Sequence, residues 1–217
     1  MMSFRKVLFC TLIYTASLAY TAEKASVVIP DKTIKLFDGK SLDGWTAFAK
    51  DGATMEQIWS VRDGVIYCVG APKGYLRTVA HYANYLLTVE WRFIKAGNTG
   101  VIVHANGEEK VWPDGVECQG AHERQGDFYV RGGLVCDQPF TQGKTGIPAV
   151  APGVENPVGE WNQYQVRCDG GTITVSVNGK EINRITGCSS TSGWIGLQSE
   201  GAEMEVREVT LQPLPQS

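Results

Sequence analysis

The chain has 217 residues, which suits a single domain with a sizeable core, and it carries a formal net charge of −3. Its lysines and arginines are scattered rather than clustered, so the sequence lacks the basic surface that binds nucleic acid or anionic lipid. We therefore expect neither of these as a partner.

The start of the chain has the order of a secretory signal. Arg5 and Lys6 precede an apolar run at 7–14, and small residues follow that run. The run is too short to cross a bilayer, which takes about 20 apolar residues. We expect residues 1–22 to be a signal peptide, and the protein to be periplasmic or secreted, with no membrane insertion after signal removal.

Short β-branched runs between turn signals predict an all-β chain with no helix longer than a turn or two. The first strands are predicted at 34–37, 59–62, 65–68 and 75–79. The clearest strand lies at 87–93, where apolar and polar residues alternate strictly. Trp91 should therefore face the core, whereas Glu90 and Arg92 should face outward.

Polar residues on later strands have the same outward phase. The strands are predicted at 100–105, 116–119 and 194–198, and the residues are His104, Glu117, Gln119 and Gln198. Side chains of one phase share a face when their strands belong to one sheet. We expect Glu117, Arg92 and Gln198 to surround one concave cleft, with His104 at its edge.

The stretch at 120–159 is rich in glycine and proline and too long for an idle connection. We expect a binding or lid loop there, with one short strand at 134–136. Further strands are predicted at 164–168, 173–177, 182–185 and 204–211. Asn178-Gly179 favours a tight hairpin turn, because both residues tolerate positive φ. A phase change in the last strand indicates a β-bulge near Arg207-Glu208.

More than ten short strands exceed what one open sheet of ordinary twist accommodates. They should therefore form either two packed sheets or a closed barrel. Of these two arrangements, we predict the two-sheet jelly-roll sandwich.

Five cysteines remain once Cys10 has left with the signal: Cys68, Cys118, Cys136, Cys168 and Cys188. An odd number cannot all pair internally. Export permits disulfides, but a domain of this size does not need them. Buried free thiols are therefore the alternative to disulfides. The pair we predict is Cys168 with Cys188, because these residues flank the hairpin. No two cysteines have C-x-x-C spacing, so we do not expect a structural zinc site.

Three large enzyme classes lack support, because G-x-S-x-G, G-x-x-x-x-G-K-[ST] and H-E-x-x-H do not occur. The E-x-D-x-x-E signature of two-carboxylate glucanases is missing as well. Tryptophans at strand ends or in loops are candidates for stacking on the C–H face of a sugar ring. They are Trp45, Trp112, Trp161 and Trp194.

Six motifs occur in a fixed order along the chain. They are LFDGKSLDGW at 36–45, GYLRT at 74–78, EWR at 90–92 with GNTGV at 97–101, GVECQ at 115–119, GEWN at 159–162 and GWIGLQ at 193–198. Together they resemble the 3-keto-disaccharide hydrolase family, also described as 3-keto-glucoside 1,2-lyase and 3-keto-2-hydroxy-glucal hydratase domains. The resemblance implies a concanavalin A-like jelly roll, of the lectin and glucanase type, at about 33–213.

The resemblance also implies an exported enzyme that cleaves 3-keto-glycosides. A ketone at C3 acidifies the proton at C2, so a base can remove it and the oxygen at C1 can leave by β-elimination, with or without rehydration of the glucal. We expect Glu117 to be the base, and His104 or Glu200 to be the acid. The alternative is a non-catalytic, lectin-like carbohydrate-binding module.

Six residues are expected to bind the sugar: Glu90, Arg92, Asn98, Gln119, Trp161 and Gln198. Arg92, Asn98 or a divalent cation such as calcium would stabilise the enolate, because each supplies hydrogen bonds or positive charge to an oxyanion. The sequence does not identify the metal.

Overall fold

The computed structural model describes residues 26–151 and 153–215. The predicted signal peptide at 1–22 therefore lies outside the described residues. Within the described residues, no helix is both long and apolar enough to cross a membrane. The single α-helix of these described residues, α1, spans Met55–Ile58, and a 3-10 turn spans Lys50–Gly52. Almost all other regular structure is β-strand, as the sequence predicted.

The strands in chain order are β1 (Val27–Val28), β2 (Ile34–Lys35), β3 (Trp45–Ala49), β4 (Trp59–Arg62), β5 (Val65–Cys68), β6 (Gly74–Thr78), β7 (His81–Tyr82), β8 (Tyr85–Phe93), β9 (Gly100–Asn106), β10 (Asp114–Ala121), β11 (Arg124–Val130), β12 (Gly146–Ile147), β13 (Asn162–Asp169), β14 (Thr172–Val177), β15 (Lys180–Ile185), β16 (Trp194–Ser199) and β17 (Met204–Pro213).

Two antiparallel sheets pack face to face. One has seven strands in the order β12-β11-β10-β9-β16-β6-β3, and the other has eight strands in the order β15-β14-β13-β8-β17-β5-β4, with β2 beside β17. A separate parallel pair joins β1 to β7. This arrangement confirms the predicted two-sheet jelly-roll sandwich.

Alternate residues of both sheets form the core between them. Trp91 of β8 stacks on Tyr164 of β13, with ring centroids 4.7 Å apart. Gly120 of β10 reaches this pair from the other sheet, and a Cβ atom added there would lie 2.6 Å from the Trp91 ring. Only glycine therefore fits at this point, and the large indole occupies the space between the sheets.

The hairpin and the bulge are confirmed. Asn178 and Gly179 have φ angles of 49° and 81°, as a tight turn between β14 and β15 requires. The pairing of β17 with β8 shifts between Val206 and Glu208, where the bulge was predicted.

The predicted long loop at 120–159 is wrong in part, because it contains β11. Gly126 and Asp127 interrupt the apolar alternation of this strand, and this hides it in the sequence. Gly126 has φ +88° and approaches Ile182 so closely that an added Cβ atom would lie 2.3 Å away. The strand predicted at 134–136 is not formed, and the prediction also missed β3.

The predicted disulfide between Cys168 and Cys188 is not formed. All five cysteines in the described part of the chain are free thiols: Cys68, Cys118, Cys136, Cys168 and Cys188. Burial raises the pKa of Cys68 to about 11 and that of Cys168 to about 12. Such thiols stay protonated and behave as small apolar side chains.

Candidate active site

Glu117 lies on the outer face of the seven-stranded sheet. Its neighbours Val116 and Cys118 point into the core, so strand alternation turns the carboxylate away from it. Arg131, directly after β11, donates hydrogen bonds from Nε (3.1 Å) and Nη2 (2.6 Å) to Oε2 of Glu117. Glu117 and Arg131, on the two sides of the β10–β11 hairpin, thereby form a charge-assisted ion pair.

The Glu117 side chain is only 4% exposed. Burial raises the pKa of the Glu117 carboxyl, and this effect is larger than the opposing effect of the Arg131 charge and hydrogen bonds. The Glu200 carboxylate adds to the rise, whereas the Gln198 amide opposes it. A carboxylate with a raised pKa is a stronger base than an exposed one, which suits proton abstraction.

Glu200 follows β16 and forms an ion pair with Lys73, with Nζ and Oε1 2.9 Å apart. The Lys73 ammonium group also lies 5.5 Å from the ring centroid of Trp112. Trp112 is 45% exposed and is the accessible indole beside these charged groups. Glu200, whose charge acts on Glu117, thus lies beside a cation, and that cation lies beside an exposed indole.

Gln198 lies on β16, in the same sheet as Glu117. Its backbone carbonyl accepts a hydrogen bond from Thr99 Oγ1 (2.8 Å), and its side-chain Oε1 is buried with no partner among the residues described. A Cβ atom at Gly100 would lie 2.6 Å from this oxygen, so glycine leaves room for the amide. We call Glu117, Arg131, Gln198, Glu200 and Lys73 the outer-face site.

An aromatic cluster lies on this face as well. Tyr75 is paired with Gln198 across β6 and β16, and its ring stacks on Trp194 with centroids 4.9 Å apart. Arg77 lies 5.5 Å above the Trp194 ring and pairs with Glu109 at 2.7 Å. Tyr75 and Trp194 are buried, so they support the site and do not offer an open ring to a sugar.

The single-cleft prediction is wrong for Arg92, and the predicted sugar-binding residues Glu90 and Trp161 lie with it away from Glu117. These residues lie on the outer face of the eight-stranded sheet, where Arg92 pairs with Glu205 and Arg207 pairs with Glu90, each at 2.6 Å. Both guanidinium groups lie over the Trp161 ring, at 4.7 Å and 4.5 Å from its centroid. Alternation correctly predicted that the side chains face outward, but it did not tell the two sheets apart.

The outward phase predicted for His104 is also wrong. The residue has φ +53°, which breaks the alternation of β9, and it is 1% exposed. Its ring contacts Tyr85 of the opposite sheet, and its Nδ1 lies 2.9 Å from the Ser190 carbonyl oxygen. Burial lowers the pKa of His104 to about 4. His104 is therefore an interior, neutral imidazole.

The remaining predicted residues lie in or beside the seven-stranded sheet. Gln119 is two residues beyond Glu117 on β10, and Asn98 precedes β9 with a buried Oδ1 that has no partner in the described chain. Among described His, Cys, Asp and Glu side chains, no group of three or more is placed to hold a metal ion. Glu117 and Glu200 already pair with cations, so they do not fit as calcium ligands.

Comparison with protein families identifies the family of the chain. Residues 32–212 match the family described as the 3-keto-alpha-glucoside-1,2-lyase-like domain. The chain belongs to this family. The match covers most of the chain and both sheets, and it confirms the resemblance seen in the six sequence motifs.

Relatives of this lyase-like domain include a 3-keto-disaccharide hydrolase of Bacteroides thetaiotaomicron, which is 27% identical over 190 residues. The alignment covers 78% of this chain and 64% of that protein. A crystal structure of a candidate glycosyl hydrolase from Parabacteroides distasonis has a TM-score of 0.64 at 23% identity, and covers 84% of this chain and 94% of its own.

A Bacillus licheniformis β-glucanase has a TM-score of 0.55 at 13% identity, with 84% of this chain and 98% of that chain covered. The likeness to both structures concerns the fold alone. It places the lyase-like domain among jelly-roll sandwiches of the glucanase type.

Sequence reasoning missed Arg131 and Lys73 as members of the site. Lys73 directly precedes the GYLRT motif at 74–78, so a sequence signal lies next to it. Arg131 directly follows β11, which the sequence did not reveal as a strand. Only the pairing of Glu117 with Tyr129 across the hairpin brings Arg131 to the carboxylate.

Replacing His104 with Gln tests its interior position. Below pH 6.5 the unfolded chain takes up a proton that folded His104 accepts only near pH 4, so the stability of the wild type should fall over this window. The free energy of unfolding of the wild type, relative to H104Q, should fall by about 3 kcal/mol between pH 6.5 and pH 4. Urea unfolding across this range measures the difference.

The matched control is H81Q, because His81 is only half-buried and partial burial is the main cause of its lowered pKa. The difference in free energy of unfolding between the wild type and H81Q should depend less on pH. A difference between wild type and H104Q that stays constant from pH 7 to pH 4 would contradict the interior position of His104.

Proposed function

We propose that the chain is an exported carbohydrate-active enzyme that cleaves 3-keto-glycosides by C2 proton abstraction and β-elimination. The observation that carries this proposal is the buried Glu117 carboxylate, whose pKa is raised and which is held by Arg131 on the outer face. Family membership and the name of the Bacteroides relative support the substrate class. Export depends on the signal peptide at 1–22.

Glu117 acts as the base in this proposal. Its carboxylate takes the proton from C2, and the C–H electrons form the enolate with negative charge on the C3 oxygen. Arg131 holds the carboxylate oxygen that accepts the two hydrogen bonds, which fixes the orientation of the base. A base fixed in this way loses little entropy when the sugar binds.

The developing enolate needs positive charge close by, and the Lys73 ammonium group supplies it. Glu200 holds this group at 2.9 Å. When the enolate collapses, the C3 carbonyl re-forms, a C1–C2 double bond forms and the C1–O bond breaks. The departing oxygen takes a proton from water, because Glu200 pairs with Lys73 as a carboxylate. Water then adds at C1 of the unsaturated sugar, which completes net hydrolysis.

Trp112 is the indole that we assign to sugar stacking. It is exposed and lies beside Lys73, whereas two arginine side chains lie over the Trp161 ring on the other sheet. Gln198 and Gln119 supply amides for the hydroxyl groups. Their side chains project from the two strands on either side of β9.

Replacing Glu117 with Gln should lower kcat for 3-keto-trehalose or a chromogenic 3-keto-glucoside by at least about 10²-fold, because a positioned general base contributes on this order. Binding should survive, since the amide keeps the shape of the side chain. Steady-state kinetics measure the first effect and calorimetric titration the second.

The matched control is E205Q. Glu205 is also a carboxylate paired with an arginine on an outer face, but it lies on the eight-stranded sheet. E205Q should keep wild-type turnover. Full activity in correctly folded E117Q would show that Glu117 is not the base. A wild-type protein that binds a polysaccharide column but turns over no 3-keto-glucoside would support the lectin-like alternative.

Replacing Arg131 with Met should move the acid limb of the kcat/KM profile to higher pH. The Arg131 charge and hydrogen bonds lower the pKa of Glu117, so their loss should raise that pKa further and delay ionisation of the base. Activity should then appear only at higher pH than in the wild type. Rates measured from pH 4 to pH 9 locate the limb.

R131K keeps the positive charge, so its acid limb should lie between that of R131M and that of the wild type. R92M removes an arginine from the other sheet and should leave the limb in place. An acid limb at the same pH in R131M and in the wild type would mean that the limb does not report Glu117.

A further inference from the structure

A cavity with a volume of about 410 Å³ lies away from the outer-face site. It lies where the turn between β10 and β11 meets the segment at 153–157. Its volume is in the range of small-molecule sites. None of its lining residues belongs to the outer-face site. We call the part formed by His122, Gln125 and Glu155 the side pocket.

Glu155 offers one unsatisfied carboxylate oxygen in this pocket. Its Oε2 accepts a hydrogen bond from the backbone N–H of Glu123 (2.8 Å) and lies 3.1 Å from Nδ1 of His122. Its Oε1 is buried and has no hydrogen-bond partner within residues 26–151 and 153–215. The protein therefore fixes the carboxylate through one oxygen and leaves the other available.

Gln125 is the second unsatisfied group. It is 5% exposed, and both its Oε1 and its Nε2 are buried without a partner in the described structure. Buried amides in folded proteins are almost always hydrogen-bonded, because leaving one unpaired costs free energy. Gln125 lines the cavity, and no hydrogen bond to the described residues holds its amide.

The chemistry of these groups selects a ligand class. The Glu155 oxygen accepts hydrogen bonds, whereas the Gln125 amide both donates and accepts, as the hydroxyl groups of a polyol do. Glu123 and Glu155 disfavour an anion, and the described His, Cys, Asp and Glu side chains include no group of three or more that could hold a metal ion. Val154 and Pro157 give the cavity an apolar wall that suits the C–H face of a sugar ring.

We propose that the side pocket binds one sugar unit, as a neutral polyol, and is a second carbohydrate site separate from Glu117. The bound hydroxyl groups satisfy the Gln125 amide and Glu155 Oε1, which explains why both are buried without internal partners. This site does not depend on the chemistry proposed for Glu117. The side pocket would bind carbohydrate even if the protein did not cleave 3-keto-glycosides.

The test is titration of ¹⁵N-labelled protein with D-glucose, monitored by amide chemical shifts. Saturable shifts are expected at the amides of residues 121–125 and 153–156. Replacing Gln125 with Leu keeps the volume of the side chain and removes both polar atoms. Q125L should weaken glucose binding at least about tenfold, which corresponds to the loss of one or two hydrogen bonds.

Q125L should also raise the melting temperature, because a buried unpaired amide is replaced by an apolar group. Loss of binding in a stabilised variant cannot be ascribed to unfolding. E117Q should keep the glucose-induced shifts, which separates this site from the outer-face site. Equal turnover of a 3-keto-glucoside by Q125L and by the wild type would show that the two sites act independently.

Three results would overturn the proposal. The first is the absence of shifts around the side pocket at 100 mM glucose, a concentration on the order of a hundred times the dissociation constant of a millimolar site. The second is an unchanged affinity in Q125L. The third is a set of shifts at these residues that calcium chloride produces and glucose does not, which would assign the pocket to a cation.

Discussion

The arrangement of the outer-face site depends on one requirement, namely that a buried carboxylate needs a cation beside it. Glu117 is almost fully buried on a sheet face, and Arg131 is the group that compensates its charge. Removing one partner of such a pair leaves an uncompensated charge and costs about 3–5 kcal/mol. The turn between β10 and β11 is short, so it brings Arg131 back to Glu117 across the hairpin. Burial keeps the Glu117 pKa raised despite this pairing, so the same hairpin determines both the stability of the pair and the basicity that the proposed chemistry needs.

The sequence predicted the fold well because its evidence is local. The alternation in β8 and the Asn178-Gly179 turn are set by neighbouring residues, and both were confirmed. The site was predicted only in part, because its assembly depends on which strands become neighbours. Arg92 has the predicted outward phase but belongs to the other sheet. His104 changed faces through one residue at positive φ, a feature that polarity patterns do not show.

The two outer faces differ in what they leave available. On the eight-stranded sheet, Arg92 and Arg207 lie over the Trp161 ring and pair with carboxylates, so these charged groups are satisfied within the protein. On the seven-stranded sheet, Gln198 Oε1 has no partner among the described residues and Trp112 is exposed. Unsatisfied polar groups beside an accessible indole are typical of a surface that binds a sugar. This contrast is why we assign the chemistry to Glu117.

The central claim is that this chain removes the proton at C2 of a 3-keto sugar, and hydrogen exchange in D₂O tests it most directly. The C2 proton signal of a 3-keto-glucoside is followed by NMR with wild-type protein, with E117Q and without protein. The account predicts that the wild type replaces the C2 proton with deuterium, in substrate or product, far faster than the other two samples do. Cleavage of the glycosidic bond with the original C2 proton retained in the product would contradict it.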